Sequence, residues 1–448
     1  MTKRDNEITR RNFIKTTGAG LAGAAVLSSP LGPLTRKAFA GSPLDIQPEK
    51  GAVLRVLRWV EFVKGDRVFW DKNTKKWEEA TGNKVITEYI SWEDVRTKAA
   101  MTASVGAGHD VIVGWHDDPH LYPHTLLDVT DLAEYLGNKY GGWEPVCLKY
   151  GINRKTNRWI ALPLGAVSIC MNYRKSWMNQ AGFDKFPERI PEFLTLCKKL
   201  KAIGHPCGFS VAHAVGDGNS NWHWWLWSFG GKVVEEDGVT LCLNNQKTWE
   251  ALEVGKEFYE TMIPGVASWL DPHNNKAFLA GQLGLTANGI SIYYVARDKF
   301  PAVAADMGHA NMPIGPVGRP TELHLLNQMF IFRHCKFPQA AKNFLLYMFE
   351  KDQYGQWIEG MKGLVAPSLK SYKKLPMWTA DPMHIPYRDT LSRALWNGYA
   401  GPEGPASAAT TAEYVVVDMF ADVFVRGKSP KAAAATAQDR AARFYKRG

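Results

Sequence analysis

Residues 157–174, with the sequence NRWIALPLGAVSICMNYR, constrain the fold more than any other part of this chain. They contain two short apolar runs, 159–164 and 167–171, which have the length of strands and lack the 3.6-residue period of a surface helix. Pro163 indicates that the runs are not one central strand, because proline has no N–H to donate to a ladder. We therefore expect the chain to leave one sheet at 163–165 and enter another. A strand pair within a single sheet is the alternative.

Strand and helix patterns alternate in the first part of the chain. A strand pattern at 52–59 precedes an amphipathic helix pattern at 69–81, and a second strand pattern at 84–90 precedes helix 92–105 and strand 109–114. This order predicts a parallel sheet flanked by helices. Because 448 residues exceed what one core usually sustains, we expect two lobes.

The ends of these predicted strands indicate where a ligand would bind. In open α/β sheets, ligands lie beyond the carboxyl ends of the strands. The candidates that follow the predicted strands of the first lobe are Trp59, Glu61, Trp92, Glu93, Trp115, His116, Asp117 and Asp118.

Residues 219–231, NSNWHWWLWSFGG, form the densest aromatic patch. Trp222, Trp225 and Phe229 share one helical face, which favours core packing. Flat aromatic rings also pack against the apolar face of a sugar ring, so we expect at least one of these side chains to line a pocket. The candidates here are Asp217, Asn219, Asn221, Trp222 and Trp224.

Several stretches resemble family 1 extracellular solute-binding proteins, the sugar-binding components of ABC importers. The resemblance rests on residues 54–90, 161–182, 228–260, 277–289, 312–316 and 362–368. It implies an α/β, two-lobed periplasmic binding protein of the type II-like kind, in which each lobe is a mainly parallel sheet flanked by helices and the chain crosses between lobes at a hinge. It also implies capture and release of a solute without catalysis.

The resemblance further implies domain boundaries and site residues. The first lobe would comprise residues 41–164 and 313–365, and the second lobe 165–312 and 366–448. Many relatives carry a Trp after the glycine that corresponds to Gly289, whereas Ile290 follows here, which leaves the stacking residue and the ligand open. The remaining candidates for the ligand site are Gly289, Ser291, Tyr293, Asn327 and Gln328.

Residues 1–40 have the features of an export signal. Residues 9–15, TRRNFIK, resemble the twin-arginine motif, and a small-residue apolar segment follows at about 18–34. Residues 38–40, Ala-Phe-Ala, form a predicted cleavage site. We expect cleavage near Ala40 and a monomeric, periplasmic mature protein, with a retained anchor as the alternative.

The formal net charge of +10 invites a nucleic-acid interpretation. Residues 1–40 hold seven basic and two acidic side chains, so half of the excess lies in the predicted signal. The remaining Lys and Arg residues are scattered, and no basic groove with interleaved aromatics is indicated. We therefore do not expect nucleic acid as a partner.

Two motifs suggest enzyme chemistry but lack the required context. Residues 18–23 match G-x-G-x-x-G, yet no strand pattern precedes them. Residues 208–212, GFSVA, resemble the elbow of serine hydrolases, which needs a strand before it and a helix after it, whereas here the apolar run is itself a predicted strand. We therefore expect no catalysis and no cofactor.

A metal site is the alternative interpretation of three histidines. His116, His120 and His124 would align on one helical face. Pro119 and Pro123 interrupt that helix, so we expect a ligand-contacting loop and no metal.

The six cysteines form neither a C-x-x-C pair nor a zinc spacing. Cys197 and Cys207 flank a short loop, and the sequence leaves a disulfide between them open. We otherwise expect buried thiols.

Together these observations predict the substrate-binding component of an ABC importer. It would capture a small solute, a mono- or oligosaccharide, between its lobes and deliver it to a membrane permease. A binding protein for a polyamine or another small organic solute is the first alternative. An exported hydrolase or oxidoreductase is the alternative from another class.

Overall fold

The computed structural model describes residues 44–446. The predicted twin-arginine motif and cleavage site therefore lie outside the described residues. None of the helices within 44–446 is both long and apolar enough to cross a membrane.

The strands of these residues form two main sheets and one small ladder. In chain order they are β1 (Val53–Trp59), β2 (Lys84–Ile90), β3 (Val111–Trp115), β4 (Ile152–Asn153), β5 (Arg158–Trp159), β6 (Leu162–Val167), β7 (Cys170–Arg174), β8 (Leu285–Asn288), β9 (Met307–Ala310), β10 (Leu325–Ile331) and β11 (Val365–Ala366).

Helices of very different lengths surround the sheets. The α-helices are α1 (Lys64–Thr81), α2 (Val95–Val105), α3 (Asp118–Leu121), α4 (Thr130–Lys139), α5 (Pro145–Gly151), α6 (Lys175–Gln180), α7 (Ile190–Ala202), α8 (Asp217–Ser228), α9 (Gln246–Tyr259), α10 (Asp271–Leu279), α11 (Ser291–Lys299), α12 (Pro301–Asp306), α13 (Pro338–Phe349), α14 (Lys351–Gly360), α15 (Met377–Ala380), α16 (Ile385–Arg388), α17 (Thr390–Arg393), α18 (Pro405–Ala412), α19 (Val415–Phe424) and α20 (Pro430–Tyr445). Short 3₁₀ turns lie at Trp92–Asp94, Pro123–Thr125, Val266–Ser268, Lys370–Lys374 and Pro382–His384.

The first sheet has the order β11-β6-β10-β3-β1-β2, and the second has the order β8-β7-β9. The predicted α/β class with two separate sheets is confirmed. Strand β1 is parallel to β2 and β3, as predicted, but β10 runs antiparallel to both of its neighbours. Both pairs of the second sheet are antiparallel. The expected mainly parallel character therefore holds only for β1–β3, because the other strands enter their sheets from distant parts of the chain.

The position of Pro163 differs from the prediction. Pro163 lies inside β6 opposite Gln328 of β10, and the register of this pair shifts between Asn327 and Gln328. Such an irregularity interrupts the ladder and accommodates a residue without an N–H. The chain changes sheets only after Val167, so the predicted change at 163–165 is wrong.

Three local predictions are also corrected. The segment 116–125 is not a loop, because Pro119 occupies the first turn of α3, where its missing N–H costs no hydrogen bond. Residues 208–212 form no strand, and only Cys207 makes isolated bridges there. The sequence also predicts a helix around 406–424, but this helix is broken at Tyr414, which has a left-handed φ of 52°.

The last helices contact both halves of the structure. Helices α19 and α20 pack against α8 and α9, whereas α18 packs against α3, which follows β3 of the first sheet. The chain after β11 therefore spans the space between the two sheets.

A buried ion pair joins β1 to the helices beside the first sheet. Arg58 Nη2 donates to Asp66 Oδ1 at 2.6 Å, and the two side chains are 0% and 1% exposed. Asp66 also accepts from the indole N–H groups of Trp59 at 3.1 Å and Trp357 at 2.8 Å. The Arg58 guanidinium lies 4.3 Å from the ring centroid of Trp70. Asp66 therefore connects three elements, namely β1, α1 and α14.

We predict that Asp66→Ala lowers the free energy of unfolding by about 3–5 kcal/mol, because it leaves a buried guanidinium without its partner. Urea denaturation followed by tryptophan fluorescence measures the change. Glu79→Ala removes an exposed carboxylate from the same helix and should change stability by less than about 0.5 kcal/mol. Equal losses in the two variants would contradict a structural role for the ion pair.

Candidate functional site

A small cavity lies between the two sheets, with a volume of ≈ 30 Å³. Its lining comes from the first-sheet side, from the second-sheet side and from the strands that connect them. The lining residues are Phe62, Trp92, Val167, Ile169, Gly216, Asp217, Asp271, Asn275, Asn288, Ser291, Leu325 and Leu364. The cavity therefore marks a cleft to which both halves contribute.

Aromatic rings form the wall on the first-sheet side. The ring of Trp92 lies 4.3 Å from that of Trp115 and 5.0 Å from that of Phe62, between centroids. Trp59 stacks on Trp115 at 5.4 Å. Trp59 and Trp115 end β1 and β3, and Trp92 follows β2, so the carboxyl edge of the parallel strands brings the three indoles together. Trp92 and Phe62 line the cavity, and Trp59 and Trp115 support them from behind.

An ion-pair cluster lies at the end of β3. Arg96 Nε donates to Asp118 Oδ1 at 2.7 Å, and Arg96 Nη2 donates to Asp117. The backbone N–H of Trp115 donates to Asp118 Oδ2 at 3.0 Å. Burial raises the pKa of both carboxyls, and the guanidinium opposes that shift. Asp117 and Asp118 therefore neutralise Arg96.

His116 is buried beside this cluster in its neutral form. Burial lowers the pKa of His116 to about 3. Neither ring nitrogen has a hydrogen-bond partner among the described residues. Burial, with a smaller contribution from His116, lowers the pKa of His223 on α8 to about 4. A neutral imidazole at this position can both donate and accept.

Two buried amides lie on β10 and α8, which contribute Leu325 and Asp217 to the cavity lining. Asn327 lies opposite Trp115 in the register of β10 and β3, two residues after Leu325 on the same face of its strand. Asn221 lies one helical turn after Asp217 on α8. Neither amide forms a hydrogen bond with the described residues through its nitrogen or its oxygen. Because buried polar groups are normally hydrogen-bonded, these amides indicate positions for a polar solute.

Asp217 and Asp271 of the second-sheet side line the cavity, and Glu93 of the first-sheet side lies near them. The two oxygens of Asp271 accept from the backbone N–H groups of Gly216 at 3.1 Å and Asp217 at 2.7 Å. Asp217 Oδ2 accepts from Asn274 at 2.5 Å. Burial, with Asp271 nearby, raises the pKa of Asp217 well above its ordinary value. On the opposite side, burial and Asp271 raise the pKa of Glu93 to about 7.

A hydrogen-bond chain fixes the end of β8. Asn288 donates to Asn275, and Asn275 Nδ2 donates to Ser291 Oγ at 3.3 Å. The backbone N–H of Gly289 donates to Asn288 Oδ1 at 2.5 Å. A Cβ on Gly289 would lie 2.9 Å from Leu364 Cδ1, so a larger residue here would require the Leu364 side chain to shift.

Other predicted site residues lie away from the cavity. Trp222 donates to the carbonyl of Ser210 at 2.8 Å, and Trp224 donates to that of Pro313 at 3.0 Å, both within the core. Tyr293 donates to Asp381 at 3.1 Å and does not line the cavity.

Glu61 and Gln328 have supporting contacts. Glu61 lies 3.9 Å from Arg67 at the partly exposed end of β1. Gln328 Nε2 donates to the carbonyls of His116 at 2.6 Å and Tyr150 at 3.2 Å, and so holds the segment after β3 against β10.

Sequence reasoning missed nine of the twelve lining residues, including Phe62, Asp271, Asn275 and Asn288. Asn288 directly precedes the candidate Gly289, so the sequence did indicate this part of the chain as part of the site. Asp271 opens a helix in a part of the chain with no distinctive pattern.

His120 and the two cysteines of the predicted short loop have defined surroundings within residues 44–446. His120 Nε2 lies 2.8 Å from the carbonyl of Tyr150, and this part of the chain contains no group of three or more His, Cys, Asp or Glu side chains placed to hold a metal ion. Cys197 and Cys207 are both buried free thiols.

Comparison with known proteins gives a family and several relatives. The family model described as bacterial extracellular solute-binding protein matches residues 72–386. A protein of Brucella abortus described as a binding protein is 25% identical over 198 residues, which cover 43% of this chain and 46% of that protein. A Deinococcus radiodurans protein described as an ABC transporter-binding protein is 23% identical over 288 residues, or 62% of this chain and 67% of its own. The chain thus spans about half the length of the first of these relatives.

Solved structures share the fold. A maltose-bound protein of T. maritima superimposes with a TM-score of 0.74 at 17% identity and covers 87% of this chain and 99% of its own. An ABC transporter solute-binding protein of Thermotoga lettingae bound with α-D-tagatose gives 0.75 at 16% identity, covering 88% and 100%. At these identities the likeness concerns the fold, which is that of two-lobed binding proteins.

The raised pKa of Glu93 can be tested through the pH dependence of the free energy of unfolding. Its folded-state pKa of about 7 exceeds the unfolded value of about 4.3, so the folded protein retains a proton that the unfolded chain releases. Stability should therefore fall as the pH rises through this window, by up to about 1.4 kcal/mol per pH unit.

We predict that Glu93→Gln flattens the fall in unfolding free energy between about pH 5 and pH 7, measured by urea denaturation at each pH. The variant leaves the neighbouring carboxyl groups unchanged, namely those of Asp94, Asp217 and Asp271. Glu79→Gln, which changes an exposed carboxylate, should leave the slope as in the wild type. An unchanged slope in Glu93→Gln would show that Glu93 does not face a desolvated, acidic cleft.

Proposed function

Because the chain belongs to the bacterial extracellular solute-binding proteins, we propose that it is the substrate-binding component of an ABC importer and captures a mono- or oligosaccharide between its two sheets. In this proposal the solute is buried, carried to a membrane permease and released unchanged. The protein acts as a monomer in the periplasm after export through the signal at residues 1–40. Because β6 and β11 keep residues 165–167 and Ala366 in the first sheet, the proposed lobes comprise 41–167 with 313–366, and 168–312 with 367–448.

The observation that carries the proposal is the combination of groups at the cleft. The rings of Trp92 and Phe62 supply apolar faces, which suit the C–H face of a sugar. Asn221, Asn327 and neutral His116 supply buried donors and acceptors without partners among the described residues. A sugar needs both apolar faces and hydrogen-bonding groups, because its ring faces are apolar and its ring edge carries hydroxyls.

Capture requires the two halves to move. A cavity of ≈ 30 Å³ has room for water, whereas ligand pockets usually measure about 300–1,000 Å³. A sugar therefore enters only when the halves separate. The natural hinge is the connection from β6 to β7, where Val167 at the end of β6 and Ile169 in the connection line the cavity. A solute favours closure only through contacts that it makes better in the closed form.

The relatives support a carbohydrate. Structures with the same fold hold maltose and α-D-tagatose, which are both small carbohydrates. The family and the fold are those of transport binding proteins, which supports capture over turnover.

A polyamine is the second candidate. Glu93, Asp217 and Asp271 place three carboxyl groups at one end of the cleft, and carboxylates beside aromatic rings also bind organic cations. A ligand screen that contains both classes separates the two candidates.

We predict that mono- or oligosaccharides raise the melting temperature of the mature protein in a thermal-shift screen, because a ligand at 100 times its Kd adds about 2.7 kcal/mol of stability. Trp92→Ala should weaken the affinity for the best sugar by about tenfold, since it removes an aromatic wall of the cavity.

The matched control is Trp177→Ala, because Trp177 lies on α6 and stacks on His205 at 3.7 Å, away from the cavity lining. It should retain wild-type affinity. Stabilisation by polyamines alone would replace the sugar proposal with the second candidate. Turnover of a bound compound would overturn the binding-protein assignment.

A further inference from the structure

The charge of the cleft is opposite to that of the whole chain. The chain carries a formal charge of +10. The region in and beside the cleft, by contrast, holds one guanidinium, of Arg96, and five carboxyl groups, of Glu93, Asp117, Asp118, Asp217 and Asp271. The guanidinium of Arg96 is already paired with Asp117 and Asp118. The remaining three carboxyls, Glu93, Asp217 and Asp271, have no cationic side chain in the cavity lining.

The three carboxyls differ in how well they are satisfied. Asp271 accepts two backbone N–H groups and so has a structural role at the start of α8. Asp217 is 3% exposed and lines the cavity, and its Oδ1 has no hydrogen-bond partner among the described residues. Glu93 Oε1 is buried and also lacks a partner there. Each side of the cleft therefore has one carboxyl oxygen that is free to accept a hydrogen bond from a solute.

A protonated amine fits this arrangement. It is a compact cation with three donors, so it can reach an oxygen on each side and relieve the repulsion among the three carboxyls. The indole of Trp92, which lines the same cavity, adds a face that attracts cations. A neutral hydroxyl would supply one donor and no charge.

The neutral groups of the cleft require a second feature in the solute. Asn221, Asn327 and His116 offer donors as well as acceptors. An alkyl polyamine offers only donors, whereas ring hydroxyls offer both. A solute that satisfies both the acidic end and the neutral part of the cleft therefore needs a protonated amine and hydroxyl groups in one molecule.

We propose that the solute is an amino sugar, whose protonated amine binds between Glu93 and Asp217 and whose hydroxyls bind Asn221, Asn327 and His116. This inference rests on the proposed capture of a carbohydrate and adds the chemical class to it. Because Glu93 and Asp217 come from opposite sides of the cleft, the bound amine would link the two sides.

Calorimetric titration of the mature protein tests the inference with matched probes. The probes are amino hexoses and aminated disaccharides, their N-acetylated forms, the parent neutral sugars, and putrescine with spermidine. We expect the aminated sugars to bind about 10-fold to 100-fold tighter than their N-acetylated and parent forms. We also expect proton release at about pH 7, seen as a dependence of the binding heat on the ionisation enthalpy of the buffer.

Two variants sharpen the result. Asp217→Asn keeps an oxygen that accepts from Asn274, and Glu93→Gln changes the other side of the cleft. Each should remove most of the preference for the aminated form while binding of the parent sugar persists. Glu79→Gln should keep the preference.

The outcomes separate this inference from the function on which it rests. Equal or tighter binding of neutral or N-acetylated sugars overturns the amino-sugar assignment and leaves sugar capture intact. Binding of polyamines alone overturns both the assignment and the carbohydrate proposal. Binding of no probe by folded protein likewise counts against both.

Discussion

Contact between the two halves takes carboxyl groups out of water, and this desolvation is the constraint on which the site depends. Glu93 comes from the first-sheet side, whereas Asp217 and Asp271 come from the second. A buried carboxylate without a positive partner is costly, so it holds a proton or binds a donor. The free energy of closing the cleft therefore depends on which hydrogen-bond donors or cationic groups the solute places between its walls. A solute that satisfies these groups stabilises the closed form, and other solutes do not.

The rigidity of the first wall comes from the interior behind it. Asp66 binds Arg58, Trp59 and Trp357 together, Trp59 stacks on Trp115, and Trp115 contacts Trp92 at the cavity. The ligand-facing ring thus rests on packed indoles and an ion pair that connects strand and helices. On the opposite side, Asp271 holds the first turn of α8. Groups behind the cavity fix the first wall, Asp271 in the cavity lining fixes the second, and the connection between β6 and β7 is the proposed hinge.

Much of the arrangement follows from the sequence, and the exceptions have physical reasons. The strand–helix alternation predicted the α/β class, and the strand-end rule selected Trp92, which lines the cavity. Pro163 was misinterpreted because the irregular pairing that accommodates it depends on β10, which is remote in sequence. Trp222 lies in the core because α19 covers α8, and no local pattern indicates that contact. Asp271 reaches the cleft through tertiary contacts, since its carboxylate binds the backbone N–H groups of Gly216 and Asp217 at the start of α8. Residues brought together by tertiary packing carry no signal in their own neighbourhood.

The central claim is that two halves close on a sugar and release it unchanged. Small-angle X-ray scattering of the mature protein, with and without a saturating sugar, measures that closure most directly. The account predicts a smaller radius of gyration with the sugar, and recovery of the same sugar after denaturation of the protein. A bound sugar that leaves the scattering curve unchanged, or that is recovered as a different compound, would contradict it.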